Sequence, residues 1–496
     1  MPPGAPWRGR RPRTLLAAAV VAVLVASCGG SSTPLPRPAS ASPQATVSGA
    51  ASPGGAAGPP GATGATAAPS ATGAAGAPSA GGSAGDWPVY HRDPARSGDD
   101  PAFAAGSGAL HVAWSTRLDG AVYAEPLAIG ATIVVATEND SVYGLDASGA
   151  IRWRSHLGTP VPLSTLPCGN IDPLGITGTP AYDPVTGSLF LVAEVTGPRH
   201  VLFALDPATG AVRWSRGIDL PGDDPATHQQ RPALAVANGY VYVGLGGLDG
   251  DCGQYRGEVI GVPTSGHGAT IAYRVPTARM GAVWATGGPA VAAGGNLYVS
   301  VGNGASTTTY DGTDSVLELS PRLTLLSRFA PATWAQDNAT DADLGSLAPA
   351  LVGSAYVFID GKSGTAYTLR RGTLGGIGGQ VSAIPLCRAF GAAAVAANVV
   401  FVPCTDALRA VRVGADGSMR VLWRTPAGAN GPPVVGGGSV WSLDLAAGVL
   451  YRLDPATGSA RGEVAVGPVA HFASPALWDG LVLVGTMRGI AAVSAG

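Results

Sequence analysis

The sequence predicts an all-β protein, an eight-bladed β-propeller, and three observations predict it. The first is an apolar tetrad that recurs eight times at a spacing of 40 to 60 residues. The copies are Val142–Leu145, Leu202–Leu205, Val259–Val262, Val316–Leu319, Ala366–Leu369, Leu408–Val411, Leu450–Leu453 and Ile490–Val493. The second is the turn that follows most copies. It is clearest in Asp206-Pro207-Ala208-Thr209-Gly210 and in the identical Asp454-Pro455-Ala456-Thr457-Gly458. Asp bonds the backbone two residues on, and Gly accepts positive φ without a steric cost. The third is a pair of matching fragments. The eighth copy stops at Gly496 after its third strand, while Leu110–Thr116 reads as an outer strand without a blade of its own. Repeats of this length and strand content cannot bury both faces singly, but they can when stacked around an axis. Donation of the N-terminal strand to the last blade is expected to close the ring and cover an open hydrogen-bonding edge.

Each element has its own justification. Residues 1–28 read as an export signal: Arg8, Arg10, Arg11 and Arg13 precede an apolar stretch from Leu15 to Ala26 that is too short to span a membrane. The stretch ends in Val25-Ala26-Ser27-Cys28, which resembles a bacterial lipobox, so Cys28 is the expected lipidation site. A plain secretory signal is the alternative. Residues 29–85 are almost wholly Gly, Ala, Pro, Ser and Thr, and cannot bury enough apolar surface to fold. They form a tether with an expected span of about 40 Å. Residues 86–496 hold the propeller. Seven of its eight units open on a proline (Pro126, Pro180, Pro232, Pro289, Pro349, Pro432 and Pro475), which suits an inner edge strand because proline cannot donate to a ladder. A second apolar strand follows, then the tetrad strand, then an outer strand that often carries an aromatic such as Trp153, Trp214 or Trp423.

Composition narrows the function. Net charge is −2 and no basic cluster lies outside the signal, which argues against nucleic-acid binding. The expected location is the extracytoplasmic face of a membrane, by lipid anchor, or the secreted fraction. Four cysteines remain after Cys28, an even number suited to an oxidising compartment. Blade topology favours the pairs Cys168–Cys252 and Cys387–Cys404, because each pair joins loops at the same end of neighbouring strands.

The Leu-Asp-x-x-Thr-Gly-x-x-x-Trp units and the opening Asp86-Trp87-Pro88-Val89-Tyr90 resemble the pyrroloquinoline-quinone-like repeat family of quinoprotein dehydrogenases and their non-catalytic relatives. The resemblance implies eight blades, with the Trp docking blade to blade. It also implies two functions. The non-catalytic relatives include envelope lipoproteins that act as scaffolds. The dehydrogenases hold the quinone with Ca²⁺, a vicinal disulfide, a catalytic Asp and a lysine. This chain has no adjacent cysteines, and Lys362 is its only lysine. The leading expectation is therefore a non-catalytic, membrane-anchored scaffold without a cofactor. The alternative is a quinone-dependent alcohol or sugar dehydrogenase, with Lys362 against the cofactor.

Loops leading into the first strands, and loops between second and third strands, open on one face of a propeller. That mouth is expected to collect Glu125, Asn139, Gln230, Arg231, Trp284, Asp343, Lys362, Arg388 and His471. Convergent polar groups around a concavity are where an envelope protein or a small ligand would bind. The acidic pairs Asp341/Asp343 and Asp249/Asp251 lack the further oxygens that Ca²⁺ needs and read as solvated loops. No histidine pair has metal-ligand spacing, and no Cys-x-x-Cys is present.

Overall fold

The computed structural model describes residues 85–496. The proposed signal, Cys28 and the tether up to residue 84 lie outside the described residues. Every expected tetrad falls on the third strand of a four-stranded antiparallel blade, Leu408 alone lying one residue ahead of its strand, and eight blades follow one another around the ring. Blade one shows the plan, with strands Leu127–Ile129, Thr132–Thr137, Ser141–Leu145 and Ile151–His156 in that spatial order. The middle two strands are buried along most of their length, and the outer strand alternates between half-buried and exposed. That gradient is what stacking blade against blade requires: both faces of the middle strands are covered, so they read as continuous apolar runs.

The ring closes as the matching fragments predicted. Leu110–Arg117 pairs antiparallel with Gly489–Ala495, and blade eight is completed by Leu481–Thr486 and Ala476–Trp478. The outer tryptophans dock blade to blade by one repeated contact. Trp114, Trp153, Trp214 and Trp423 each lie against the turn glycine of the following blade, namely Gly149, Gly210, Gly266 and Gly458. A hydroxyl two residues after three of these tryptophans donates to the same glycine's carbonyl: Thr116 to Gly149, Ser155 to Gly210 and Thr425 to Gly458. All four glycines have φ between +72° and +79°. Any Cβ there would collide with the indole, so the glycine serves both the turn and the docking.

The turn aspartates also hold the outer strands. Asp206 accepts from the backbone N–H groups of Ala208 and Thr209 and pairs with Arg213 at 2.7 Å. Asp454 repeats the arrangement with Ala456, Thr457 and Arg461. These pairs are exposed and contribute little individually.

The lead-in has a role that composition does not suggest. Residues 87–98 run around the inner ring and satisfy the inner edge. The mid-strand N–H groups of Ala128, Tyr182, Val291, Val395 and Val435 donate to the carbonyls of Trp87, Pro88, Pro94, Ser97 and Gly98, at 2.7 to 3.0 Å. Asp99–Asp100 then pairs parallel with the first strand of blade seven. Arg96, fully buried, donates to the carbonyls of Tyr90, Leu234 and Pro289. The lead-in thus ties six blades together by main-chain bonds or through Arg96. A buried inner edge with unpaired N–H groups would be costly, and this segment supplies the acceptors.

Both disulfides join the cysteines favoured by topology. Cys168 and Cys252 have Cα atoms 6.1 Å apart, and Cys387 and Cys404 have theirs 5.7 Å apart. No described helix is long and apolar enough to cross a membrane.

Candidate functional site

The mouth is built from loops that the blades place side by side. Gly247–Asp251 leaves the second strand of blade three. Trp284 lies in the loop leading into blade four, and Asn303 follows that blade's second strand. Asp341 and Asp343 follow the short helix Trp334–Thr340. Lys362 sits in the turn after the second strand of blade five. Phe390 precedes the first strand of blade six, and His471 and Phe472 precede that of blade eight. Together with Arg231 and Asn170 these residues line an open cavity of about 570 Å³. The volume is in the range of small-molecule and peptide side-chain sites.

Lys362 is the pivot of one wall. Its Nζ lies 2.7 Å from Asp343 Oδ2 and 2.8 Å from Asp341 Oδ1. It also stands over the Trp284 ring, 5.4 Å from the centroid. Burial works against the ammonium charge, but Asp343 and Asp341 outweigh it and raise the lysine's pKa. Asp343 is buried, and that burial pushes its pKa up to about 6 although Lys362 pulls the other way. The acidic loop therefore spends its charge on a lysine. Asp341 is exposed, as expected of a loop residue, whereas Asp343 is buried beneath the lysine.

The adjoining wall is aromatic. Phe390 and Phe472 stack with centroids 5.7 Å apart and planes 13° from parallel. Trp284 meets both, at 6.2 and 6.3 Å. Phe472 holds φ +65°, a left-handed conformation rare for a non-glycine residue, so the loop accepts strain to present this ring. Beyond the phenyl pair lies a second cavity of about 450 Å³ lined by Phe390, Pro403, Pro432, Leu445, Val469 and Phe472, with Thr405, Asn430, Ala446 and His471. Sequence reasoning missed both phenylalanines. Their only signal is position, since Phe472 comes three residues before Pro475 in a loop leading into a first strand.

The expected mouth residues divide into three groups. Arg231, Trp284, Asp343, Lys362 and His471 line the larger cavity. Glu125 and Gln230 turn inward instead. Glu125 is 3% exposed, and its Oε1 accepts from Trp87 Nε1 at 2.6 Å and from the His91 backbone N–H at 2.8 Å. It anchors the lead-in, and burial raises its pKa to about 7. Gln230 is 1% exposed and its backbone N–H donates to Glu194. Asn139 and Arg388 form the last group: neither lines the cavity. Asn139 bonds Asp119 at 2.9 Å, and Arg388 is exposed beside the Cys387–Cys404 disulfide.

The carboxylates around the channel recur as a device between blades. Glu138 accepts from Gly175 N at 2.8 Å, Glu194 from Gln230 N at 2.6 Å and Asp314 from Leu344 N at 2.6 Å. In each case an acid of one blade holds the loop leading into the next. Asp223, His228 and Glu258 bring three ligand-type atoms together, but Arg274 binds both carboxylates and the two His228 ring nitrogens face backbone carbonyls. That group is an ion-paired strut.

Comparison with known proteins agrees with this architecture. Residues 96–247 match the family described as outer membrane protein assembly factor BamB. A search of curated proteins gives no match. Among solved structures the chain is similar to a quinohemoprotein alcohol dehydrogenase from Comamonas testosteroni, with 18% identity over 83% of this chain and 80% of that one and a TM-score of 0.64. It is similar to a europium-containing methanol dehydrogenase, with 16% identity over 83% of this chain and 98% of that one and a TM-score of 0.62. It is also similar to BamB from Moraxella catarrhalis, with 17% identity over 78% of this chain and 100% of that one and a TM-score of 0.55. At these identities the likeness is one of fold. The eight blades, docked by tryptophan at four junctions, and the Asp-x-x-Thr-Gly turns are those of a pyrroloquinoline-quinone-like β-propeller, with the family match itself confined to residues 96–247.

Proposed function

We propose that this protein is a membrane-anchored, extracytoplasmic, non-catalytic scaffold whose mouth binds a protein or another envelope ligand. One observation carries the reading: a wide concavity in which three aromatic rings and an ion-paired lysine face solvent together. Rigid aromatic surface beside fixed charge is how binding sites concentrate their affinity. The cysteine expected to carry lipid and the Gly/Ala/Pro/Ser-rich tether support the anchored location.

One observation favours the second reading, a quinone-dependent dehydrogenase. Lys362 stands over Trp284 and beside the buried carboxyl of Asp343. The residues of the mouth nevertheless do not fit the quinone with Ca²⁺. The sequence has no adjacent cysteines to cover the ring. The ammonium already lies over the indole face, both nearby carboxylates are bound to it, and Arg231 brings a second cation into the cavity.

The test mixes the purified full-length protein with pyrroloquinoline quinone and Ca²⁺. The expected result is no quinone absorbance after gel filtration and no dye reduction with alcohols or sugars. Stoichiometric retention with turnover, both lost in Lys362→Ala, would overturn the scaffold reading.

A further inference from the structure

We infer that the mouth recognises a peptide segment of a partner protein in which an apolar side chain stands next to a lysine or arginine. The inference rests on the scaffold reading above and names the chemistry of its partner. The argument starts from the two cavities. They share one wall, made by Phe390, Phe472 and His471, and differ in what lies on either side. One side is apolar, with Pro403, Pro432, Leu445 and Val469. The other side is acidic: Asp249, Asp251, Asp341 and Asp343 line it against the two cations Arg231 and Lys362.

Both cations are already answered by the protein. Lys362 is clamped by Asp341 and Asp343. Arg231 feels the carboxylates of Glu138, Asp249 and Glu194. The lining still carries a surplus: four carboxylates face two cations, and Asp249 and Asp251 make no ion pair with either. Two groups are placed to use it. Asp249 is exposed at the rim. Asp251, two residues on, lines the same cavity, its Oδ1 accepting from the Tyr255 hydroxyl. A cationic donor from a ligand would pair with this surplus.

An extended peptide sends successive side chains to opposite sides. Laid along the phenyl ridge, it puts one side chain into the apolar cavity and its neighbour into the acidic one. The ridge is about one aromatic ring pair wide, with centroids 5.7 Å apart, so adjacent residues straddle it. A ligand bearing only a cation would leave the apolar cavity wet, and an anionic neighbour would meet four carboxylates.

Fluorescein-labelled Gly-Gly-Leu-Lys-Gly is the probe, read by polarisation against the full-length chain. Changing its Lys to Glu, or its Leu to Ser, should each weaken binding at least about tenfold, which is about 1.4 kcal/mol. In the protein, Ala446→Trp fills the apolar cavity from an exposed rim position and should abolish the leucine preference. Asp249→Lys should abolish the lysine preference. Both sites are exposed, so the fold should survive, and an unchanged melting curve checks that. Equal binding of the Lys and Glu peptides, or no saturable binding of the Leu-Lys peptide, overturns the inference. A photo-crosslinker at Asn430 separates the two failures: a mouth-specific partner cross-link with indiscriminate peptides leaves the scaffold reading standing, and no cross-link with no peptide overturns both.

Discussion

Replacing Gly210 by alanine tests whether docking of tryptophan on glycine holds the blades together. Gly210 has φ +73°, and a Cβ there would fall inside contact distance of Trp153 and 2.6 Å from Ser155 Oγ. Two costs add. The left-handed backbone costs an alanine about 1–2 kcal/mol. Overpacking against a ring that the turn encloses costs about 1–3 kcal/mol more. Gly239 isolates the first cost, because its φ is +75° and nothing lies within 4 Å of its Cβ position. Gly239→Ala should therefore lose only about 1–2 kcal/mol, and Gly210→Ala about 2–5 kcal/mol. Urea unfolding followed by tryptophan fluorescence measures both, with equal m-values required for the comparison. The double variant Trp153→Ala/Gly210→Ala removes the collision with the ring and leaves only that with Ser155 Oγ, so its loss should be smaller than the sum by roughly 1–3 kcal/mol. Equal losses at Gly210 and Gly239, or strict additivity with Trp153, would refute the docking argument.

Three further perturbations address the ring, the pH response and the anchor. Deleting residues 108–118 removes the strand that pairs with Gly489–Ala495 and should abolish a single cooperative melting transition; a truncated protein that melts like the intact one contradicts ring closure. Burial raises the pKa of Glu138 and Asp360 to about 8, and that of Glu125 to about 7, from ordinary values near 4 to 4.5. The folded state then binds more protons than the unfolded chain, so stability is fullest below about pH 4 to 4.5 on this account and falls as pH rises toward about 8. The melting temperature should drop by roughly a few degrees between about pH 5 and about pH 8, and Glu138→Gln, which keeps an acceptor for Gly175 N, should flatten the slope. A melting temperature that rises over that window contradicts the assignment. Cys28→Ala should move the protein out of the membrane fraction; unchanged fractionation argues against lipid anchoring at that residue.

What the sequence determined by itself is whatever repeats. The tetrads, the Asp-x-x-Thr-Gly turns and the fourth-strand tryptophans are local patterns written several times over, and each copy confirms the others. The missing eighth outer strand and the orphan Leu110–Thr116 predicted ring closure for the same reason, because a repeat with a gap shows what fills it. The disulfide pairs were legible once the blade order was known, since strand direction decides which loops share an end. The tertiary structure decided what happens once only. Glu125 and Gln230 come from loops leading into first strands, as Trp284 does, yet they turn inward, because the lead-in presents the Trp87 indole and the His91 N–H to Glu125, and Gln230 N meets Glu194. The lead-in itself carries no periodicity, and only the closed ring creates the row of inner N–H groups that it satisfies. The mouth was decided in the same way. Lys362, Asp343, Trp284, Phe390 and Phe472 span 189 positions from Trp284 to Phe472, and no local pattern links them. They meet because the blades return their loops to one axis, so the site's chemistry follows from closure of the ring.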